Sequence, residues 1–377
     1  MIKDEVLAAL RERGGYVSGQ ELCDRFSVSR TAIWKAVSKL KEEGYEIDSV
    51  PNRGYCLLTS PDAMTEAEIR SYLHTEKMGK SLVCFADTDS TNIQAKLLAE
   101  QNAPDGTLVC SDQQTKGRGR RGRAWDSPPG EAIYMSLLLR PDIHPEHASM
   151  LTLVMGMAVA DAINELMGGE SAGIKWPNDV VLAQKARYAR FPEATEIRDL
   201  GFSESGKELG QKNRAQRLFC ANEGDACSAR DDRAPDFAKL CGISLEAHGG
   251  GVCVGVGVNV LPPDKRPDVG GKNRPAYVAD LADSVAAPAV AVEAVLEALL
   301  AAFAPLYGVW RRNGFAPLVD EFNAYSSLNG QNVRMVDRAD NLLAEGAVVG
   351  VDAQGRLVLR SESGIETAIS SGEGHLV

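Results

Sequence analysis

The first sixty residues are punctuated in a way that few folds accommodate. Residues 2–13 place Ile2, Val6, Leu7 and Leu10 on one helical face. Gly14-Gly15 stops that helix. Ser18, followed three residues on by Glu21, is the hydroxyl-and-acid pair that opens a new one. The second helix is short, Glu21–Phe26. Ser27-Val28-Ser29 turns the chain into a third helix, Arg30–Glu43, with Ile33, Val37 and Leu40 inward, and Gly44 ends it. Two short strands follow, Glu46–Val50 and Tyr55–Leu58, joined by Pro51-Asn52-Arg53-Gly54.

Helix, helix, turn, helix and hairpin is the layout of a winged helix-turn-helix, which lays one helix in the major groove of DNA. The third helix would turn Arg30, Thr31, Trp34, Lys35, Ser38 and Lys41 outward, and Arg53 on the wing would meet a phosphate. With Ser18 and Ser29 at the two helix starts, these are the candidate DNA contacts. Residues 1–60 hold nine Lys/Arg and nine Asp/Glu, whereas the whole chain carries a formal charge of −11. Any basic footprint is therefore local. The alternative is a small protein-docking domain with a solvated polar face.

The chain has 377 residues, 44% hydrophobic and 25% charged. That is room for two or three domains and excludes collagen-like, mucin-like and wholly disordered classes. The apolar stretches Met150–Met167 and Ala289–Leu306 are broken by Asp161, Glu165, Glu293 and Glu297, which predicts helices of a soluble domain and no membrane span. The acids in the opening MIKDEVLAAL argue against a secretory signal and for the cytoplasm. Eight cysteines (Cys23, Cys56, Cys84, Cys110, Cys220, Cys227, Cys241, Cys253) form no C-x-x-C pair, as expected of thiols in a reducing compartment. No histidine lies between residues 183 and 238 to complete a zinc site with Cys220 and Cys227, and no metal-ligating residue is assigned.

Pro61–Met64 reads as a linker. Beyond it, Phe85–Asn92 reads as a strand ending in small polar residues before a helix at Ile93–Glu100. Hydroxyls and N–H groups at such a helix start suit a polar ligand head, though an ordinary cap looks the same. The run QTKGRGRRGRAW is more specific. Lys116, Arg118, Arg120, Arg121 and Arg123 alternate with Gly117, Gly119 and Gly122. Glycine lets backbone approach an anion, and arginine binds phosphate oxygens with paired donors. The pattern is neither a Walker loop nor a dinucleotide fingerprint. It predicts a mobile loop closing over a phosphate-bearing intermediate, with a basic RNA-binding loop as the alternative. A strand at Ile133–Leu139 and a long helix around His147–Met167 follow. Then come the unusual core Lys175-Trp176-Pro177-Asn178-Asp179 and two strand-like runs, KLCGISLE from Lys239 and VCVGVGVNV from Val252.

Taken together, STN, QTKGRGRRGRAW, KWPND, KLCGISLE and VGVGVNV resemble the biotin–protein ligases. With the winged helix in front, the chain is similar to the bifunctional ligases of that family that also repress transcription. The resemblance covers residues 1–182 and 239–377. It implies an α+β fold with three parts: a winged helix-turn-helix at 1–60, a mixed-sheet catalytic domain of the biotin/lipoate-ligase type at 65–325, and an SH3-like barrel at 329–377. It implies that biotin is joined to AMP using ATP and Mg²⁺ and then passed to a lysine of a biotin carboxyl carrier domain. Lipoate ligation, or ligand sensing without ligation, are the rival activities.

By matching motif, the resemblance implies that Ser90, Thr91, Asn92 and Gln114 hold the ureido head of biotin. Arg118, Gly119 and Arg120 enclose biotin and the acyl-phosphate. Lys239 meets the carboxylate and the reacting phosphoryl group, with Gly242 and Gly255 beside biotin. Arg121, Trp125, Lys175, Asn178 and Asn259 attend the nucleotide, Asn259 reading adenine. Lys239, Arg118, Arg120 and Asp179 form the catalytic set. Asp179 would orient or deprotonate the acceptor lysine, or else pair structurally with Lys175. Operator DNA, the carrier protein and a ligand-dependent second copy are the implied partners.

Two regions depart from that pattern. Residues 183–238 replace a short turn with 56 residues holding ten Lys/Arg, ten Asp/Glu, eight Leu, Ile or Phe and no Val, which reads as a mobile excursion. Residues 261–280 stand where the family covers the adenylate but contain no Trp. Near the end, Ala289–Phe303 and Leu306–Asn323 read as helices, with Trp310 and Phe315 as core. Asn332–Val336, Leu342–Val351, Arg356–Leu359, Ile365–Ile369 and the GEGHL ending read as strands of the small barrel, expected to brace the active site and help seat the acceptor domain.

Overall fold

A computed structural model describes residues 2–59, 65–75, 77–169, 171–182, 237–263, 274–281 and 291–377. The expected linker at 61–64, Cys220, Cys227, most of the 56-residue excursion and the middle of the 261–280 loop lie outside the described residues. Two compact units emerge. One gathers described residues within 2–141, 245–257 and 291–301, the other within 142–244, 258–281 and 302–377.

The first unit opens with α1 (Ile2–Arg13), α2 (Gly19–Phe26), α3 (Arg30–Glu42) and the antiparallel strands β1 (Glu46–Val50) and β2 (Gly54–Thr59). The punctuation acts as expected. Ser18 Oγ accepts from Glu21 N–H at 3.0 Å and Ser29 Oγ from Ala32 N–H at 3.2 Å, each satisfying an orphan donor of its helix. Val6, Leu7, Leu10, Leu22, Ile33, Val37 and Leu40 are buried together. Val17 and Tyr55 exchange backbone hydrogen bonds of 2.8 and 2.9 Å that hold the wing to the helices. Gly54 is required at that crossing: it lies at φ +104, and a Cβ there would sit 1.9 Å from the Val17 oxygen.

Helix α4 (Glu66–Tyr72) packs onto this group. Ala67 joins its core, and nearly buried Glu68 accepts from Arg11 and from the Tyr45 hydroxyl. Arg11 also lies 4.4 Å from the centre of the Tyr72 ring. The helical unit thus extends past residue 60 through a buried ion pair whose partners the hydrophobic pattern does not reveal.

A seven-stranded mixed sheet has the order β3-β4-β5-β9-β8-β7-β6. Its strands are β3 (Leu82–Thr88), β4 (Thr107–Gln114), β5 (Ala132–Leu139), β6 (Ala172–Lys175), β7 (Asp179–Leu182), β8 (Lys239–His248) and β9 (Gly251–Asn259). β3 and β4 run parallel around α5 (Thr91–Glu100), and β5 returns antiparallel to β4. Every residue of β5 is buried, as in a strand covered on both faces.

In the second unit, α6 (Leu151–Met167) buries eleven of its seventeen residues. β6 and β7 form a hairpin around the cis Trp176–Pro177 bond. The two helices expected at 289–303 and 306–323 are instead one long helix, α7 (Val292–Asn313), and a short one, α8 (Val319–Tyr325). Pro305 sits inside α7 without ending it, because Phe303, Tyr307 and Trp310 stack along one face on either side of it, with ring centres 5.4 and 6.0 Å apart. Gly314 at φ +70 is the real stop. Trp310 and Phe315 are core, as expected.

The C-terminal strands β10 (Asn332–Val336), β11 (Leu342–Val351), β12 (Leu357–Arg360), β13 (Glu366–Ile369) and β14 (Glu373–Leu376) form an antiparallel sheet of order β13-β12-β11-β10-β14. Ala347 marks the change of partner along β11: the strand pairs with β10 before it and with β12 after it.

Candidate functional site

The motif residues gather into two polar clusters, one in each unit, and a third set lies on the N-terminal helices. In the first unit, β3 ends at Thr88 and α5 begins at Thr91, which places Ser90, Thr91 and Asn92 at a helix start. Asp89 fixes the turn by accepting from Ser90 N–H at 2.6 Å and Gln94 Nε2 at 3.0 Å. The Gln94 bond, with smaller help from Ser90, Thr88 and Lys116, holds the Asp89 carboxyl below its usual range. Gln114, at the end of β4, accepts from Thr91 N–H at 2.9 Å and turns its Nε2 to Ser127 Oγ at 3.0 Å. Ser136 Oγ lies 2.9 Å from Thr91 Oγ1 and 2.6 Å from Asn92 Oδ1. Asn92 Nδ2 donates to Glu246 Oε1 at 3.1 Å, and Glu246 Oε2 takes Lys96 Nζ at 2.6 Å. Partial burial pushes the Glu246 carboxyl up, but Lys96, the Asn92 amide and the Arg118 charge outweigh it and leave the group below its ordinary value.

The Gly/Arg run folds as a narrow hairpin beside this cluster. Thr115 and Lys116 N–H groups bond Thr88 and Asp89 carbonyls at 2.9 Å each. Trp125 N–H bonds Gly117 O at 2.9 Å, Gly119 N–H bonds Arg123 O at 2.8 Å, and Arg118 pairs with Ala124. Gly117 is forced, since a Cβ would fall 2.4 Å from the Trp125 oxygen. Arg118 is exposed, and Arg120 and Arg121 lie in a 3-10 turn that Gly122 closes at φ +75. The Trp125 ring lies against Gly257 of β9, where a Cβ would come within 2.7–2.9 Å of three ring atoms. Gly255 is buried in the same strand.

In the second unit, Lys239 at the start of β8 forms an ion pair with Asp179 at the start of β7, Nζ to Oδ1 2.8 Å, with both side chains largely buried. Asn178 donates to Asp179 Oδ1 at 3.0 Å and to Ile243 O at 3.1 Å, while Ile243 N–H returns a bond to Asn178 O at 2.9 Å. Asn259 Nδ2 donates to Lys239 O at 3.2 Å. Lys239, Asp179, Asn178 and Asn259 therefore form one group, with Gly242 opposite Asp179 in the β7–β8 register. Lys175 is opposite Asp179 in the β6–β7 register, and its ammonium lies 4.6 Å from the centre of the Phe237 ring. Among the described residues, no group of three or more His, Cys, Asp or Glu is placed to hold a metal ion.

On the N-terminal helices, α3 exposes Arg30, Thr31, Trp34 and Lys35, with Ser38 half-buried and Trp34 60% exposed. Arg53 on the wing lies 4.2 Å from the centre of the Tyr16 ring, whose hydroxyl donates to Asp48. Ser18 and Ser29 spend their oxygens as helix caps. Sequence reasoning missed Ser127, Ser136 and Glu246. A lone serine inside the apolar run IYMSLLL was the available signal for Ser136, and Glu246 closes the KLCGISLE motif, two of whose residues, Lys239 and Gly242, were assigned.

Three regions of the chain match known families. Residues 3–56 match a helix-turn-helix (HTH) domain, 83–186 the biotin/lipoate A/B protein ligase family, and 329–373 the biotin protein ligase C-terminal domain. The bifunctional ligase/repressor BirA of Bacillus subtilis is 32% identical over 360 residues, spanning 94% of this chain and 93% of that protein. BirA of Escherichia coli is 34% identical over 179 residues, spanning 48% of this chain and 54% of that one. The solved biotin protein ligase from Aquifex aeolicus in complex with biotin and ATP shares the fold, with a TM-score of 0.55 at 22% identity, over 79% of this chain and 99% of that one.

Proposed function

Because the chain belongs to the bifunctional ligase/repressor family of biotin–protein ligases, we propose that it activates biotin with ATP, passes it to a lysine of a biotin carboxyl carrier domain, and binds operator DNA through α3 and the wing. The observation that carries the catalytic part is the Lys239–Asp179 pair, locked by Asn178 and Asn259.

In the first step a biotin carboxylate oxygen attacks the α-phosphorus of ATP, and the bond to pyrophosphate breaks. Two anions must meet, so a fixed cation at the reacting oxygens lowers the barrier. Lys239 supplies it, aimed by Asp179, and Arg118 adds charge from the loop. Magnesium bound with ATP would supply further charge neutralisation. Thr91, Asn92 and Gln114 hold the ureido head, with Ser90 at the helix start beside them. Arg120, Arg121 and Trp125 keep water from the mixed anhydride. In the second step the acceptor amine attacks the acyl carbon, AMP leaves, and Asp179 orients or receives the amine proton. Asn259 and Lys175 attend the nucleotide. A second copy paired with the first would present two reading helices to two half-sites.

Incubating the full chain with ATP, Mg²⁺ and a carrier domain, with labelled biotin or labelled lipoate, tests the ligase reading. Label on the acceptor from biotin alone supports it. Label from lipoate, or from neither, overturns it.

A further inference from the structure

The geometry points to Glu246 as a positioning residue of the head-group site: through Asn92 and Ser136 it fixes which atoms donate and which accept, and so selects a ring that carries both a carbonyl and N–H groups. This rests on the reading of Ser90, Thr91, Asn92 and Gln114 as the ureido site.

An ionised carboxylate can only accept hydrogen bonds. Glu246 therefore takes the Nδ2 end of Asn92, at 3.1 Å, and Lys96 occupies its other oxygen at 2.6 Å. With its NH₂ end committed, Asn92 turns Oδ1 to Ser136, 2.6 Å away. Ser136 has one proton, and the shorter contact claims it. Thr91 Oγ1, 2.9 Å away, is the second acceptor facing that hydroxyl, because the Thr91 hydroxyl itself donates to Gln114 Oε1 at 3.3 Å. Beyond Thr91, Gln114 Oε1 accepts the Thr91 N–H, which leaves Nε2 for Ser127. The polarity set at Glu246 thus runs through five side chains.

Burial makes that polarity binding. Ser136 is fully buried, and Thr91 and Asn92 are 4% and 7% exposed, so none can satisfy a reversed arrangement with water. A neutral amide at position 246 would let Asn92 flip. Buried sites that hydrogen-bond their substrate reject analogues lacking the matching groups far better than apolar pockets do. A cyclic urea meets such a site with both kinds of group, and a dithiolane head offers neither.

The test is steady-state adenylation by the full chain, followed as pyrophosphate release. Glu246→Gln should raise the KM for biotin about tenfold, the worth of one misdirected buried hydrogen bond. The KM for ATP, kcat at saturating biotin and the melting temperature should stay close to wild type. Glu246→Asp should recover part of the loss. Ser136→Ala, which removes the hydroxyl that stands between Asn92 and Thr91, should raise the KM for biotin in the same way. A biotin KM within about twofold of wild type for both Glu246→Gln and Ser136→Ala overturns the proposal. So does an equal effect on both substrates and kcat, which belongs to a general structural role. A wild-type chain that does not adenylate biotin overturns the ligase reading instead.

Discussion

The indole Nε1 of Trp176 donates to the carbonyl oxygen of Gly355 at 3.0 Å, in a site where Trp176 is 3% exposed. Gly355 lies at φ +71, and a Cβ there would come 2.7 Å from Leu153 Cδ1. The turn that delivers Asn178 and Asp179 is thus tied to the loop between β11 and β12 where only glycine fits. The contact joins the β11–β12 loop of the C-terminal sheet to the hairpin that carries Asp179.

Trp176→Phe should cost about 1–3 kcal/mol, because it strands a buried carbonyl without a donor. Gly355→Ala should cost a similar amount through left-handed backbone and overpacking, about 1–3 kcal/mol. Urea unfolding of both variants checks this. Midpoints equal to wild type would remove the bracing contact from the account.

Lys239→Ala should leave the fold intact and slow adenylation at least ~100-fold, the loss of a charge-assisted contact of ~3 kcal/mol in a closed site. Circular dichroism and pyrophosphate release measure the two halves. Near-wild-type adenylate formation by the folded variant would sink the assignment.

Arg120→Gly should loosen the loop turn and release the adenylate, which would then label lysines on bystander proteins. Mass spectrometry of bystander lysines gives the readout. Wild-type adenylation with full acceptor selectivity would show that Arg120 is no clamp.

Glu293 supplies a pH dependence. Burial, with nearby Glu68 and Asp112 and against the pull of Arg11, raises its carboxyl to about 7. A folded-state value above the unfolded one means the folded chain binds the extra proton between pH 4.5 and about 7. Stability from this group is present below that window and falls as pH rises through it. Glu293→Gln mimics the protonated form, so it should raise the melting temperature at pH ~8 and leave it nearly unchanged at pH ~5. Equal shifts at both values would contradict the assignment.

What the sequence revealed was set locally. Ser18, Ser29 and Gly44 cap or end helices within their own turn, so the N-terminal layout was legible from spacing alone. The ligase-family motifs were legible as strings. What stayed hidden depends on partners distant in the chain. Glu246 meets Asn92 across 154 positions, and Trp176 meets Gly355 across 179. Pro305 looked like a break because propensity cannot register an aromatic stack that carries the helix through it. Ala67 gave no sign of belonging to the N-terminal core because its partners there lie on α1.

Arg53 should carry the electrostatic share of DNA binding. Stacking on Tyr16 holds its guanidinium on the wing, and Tyr16 is itself anchored by Asp48. Residues 1–60 have no net charge, so each local cation counts. A phosphate contact contributes a slope of roughly −0.9 to log K against log salt, whatever the base sequence. Arg53→Ala should therefore lower affinity for all duplexes alike and reduce the slope by about 1. Trp34→Ala, on the exposed face of α3, should change the ranking among sequences instead. Fluorescence titrations of several labelled duplexes over roughly 50–200 mM salt separate the two effects. An unchanged slope for Arg53→Ala would take the wing off the phosphates, and an unchanged ranking for Trp34→Ala would take the reading face off the base edges.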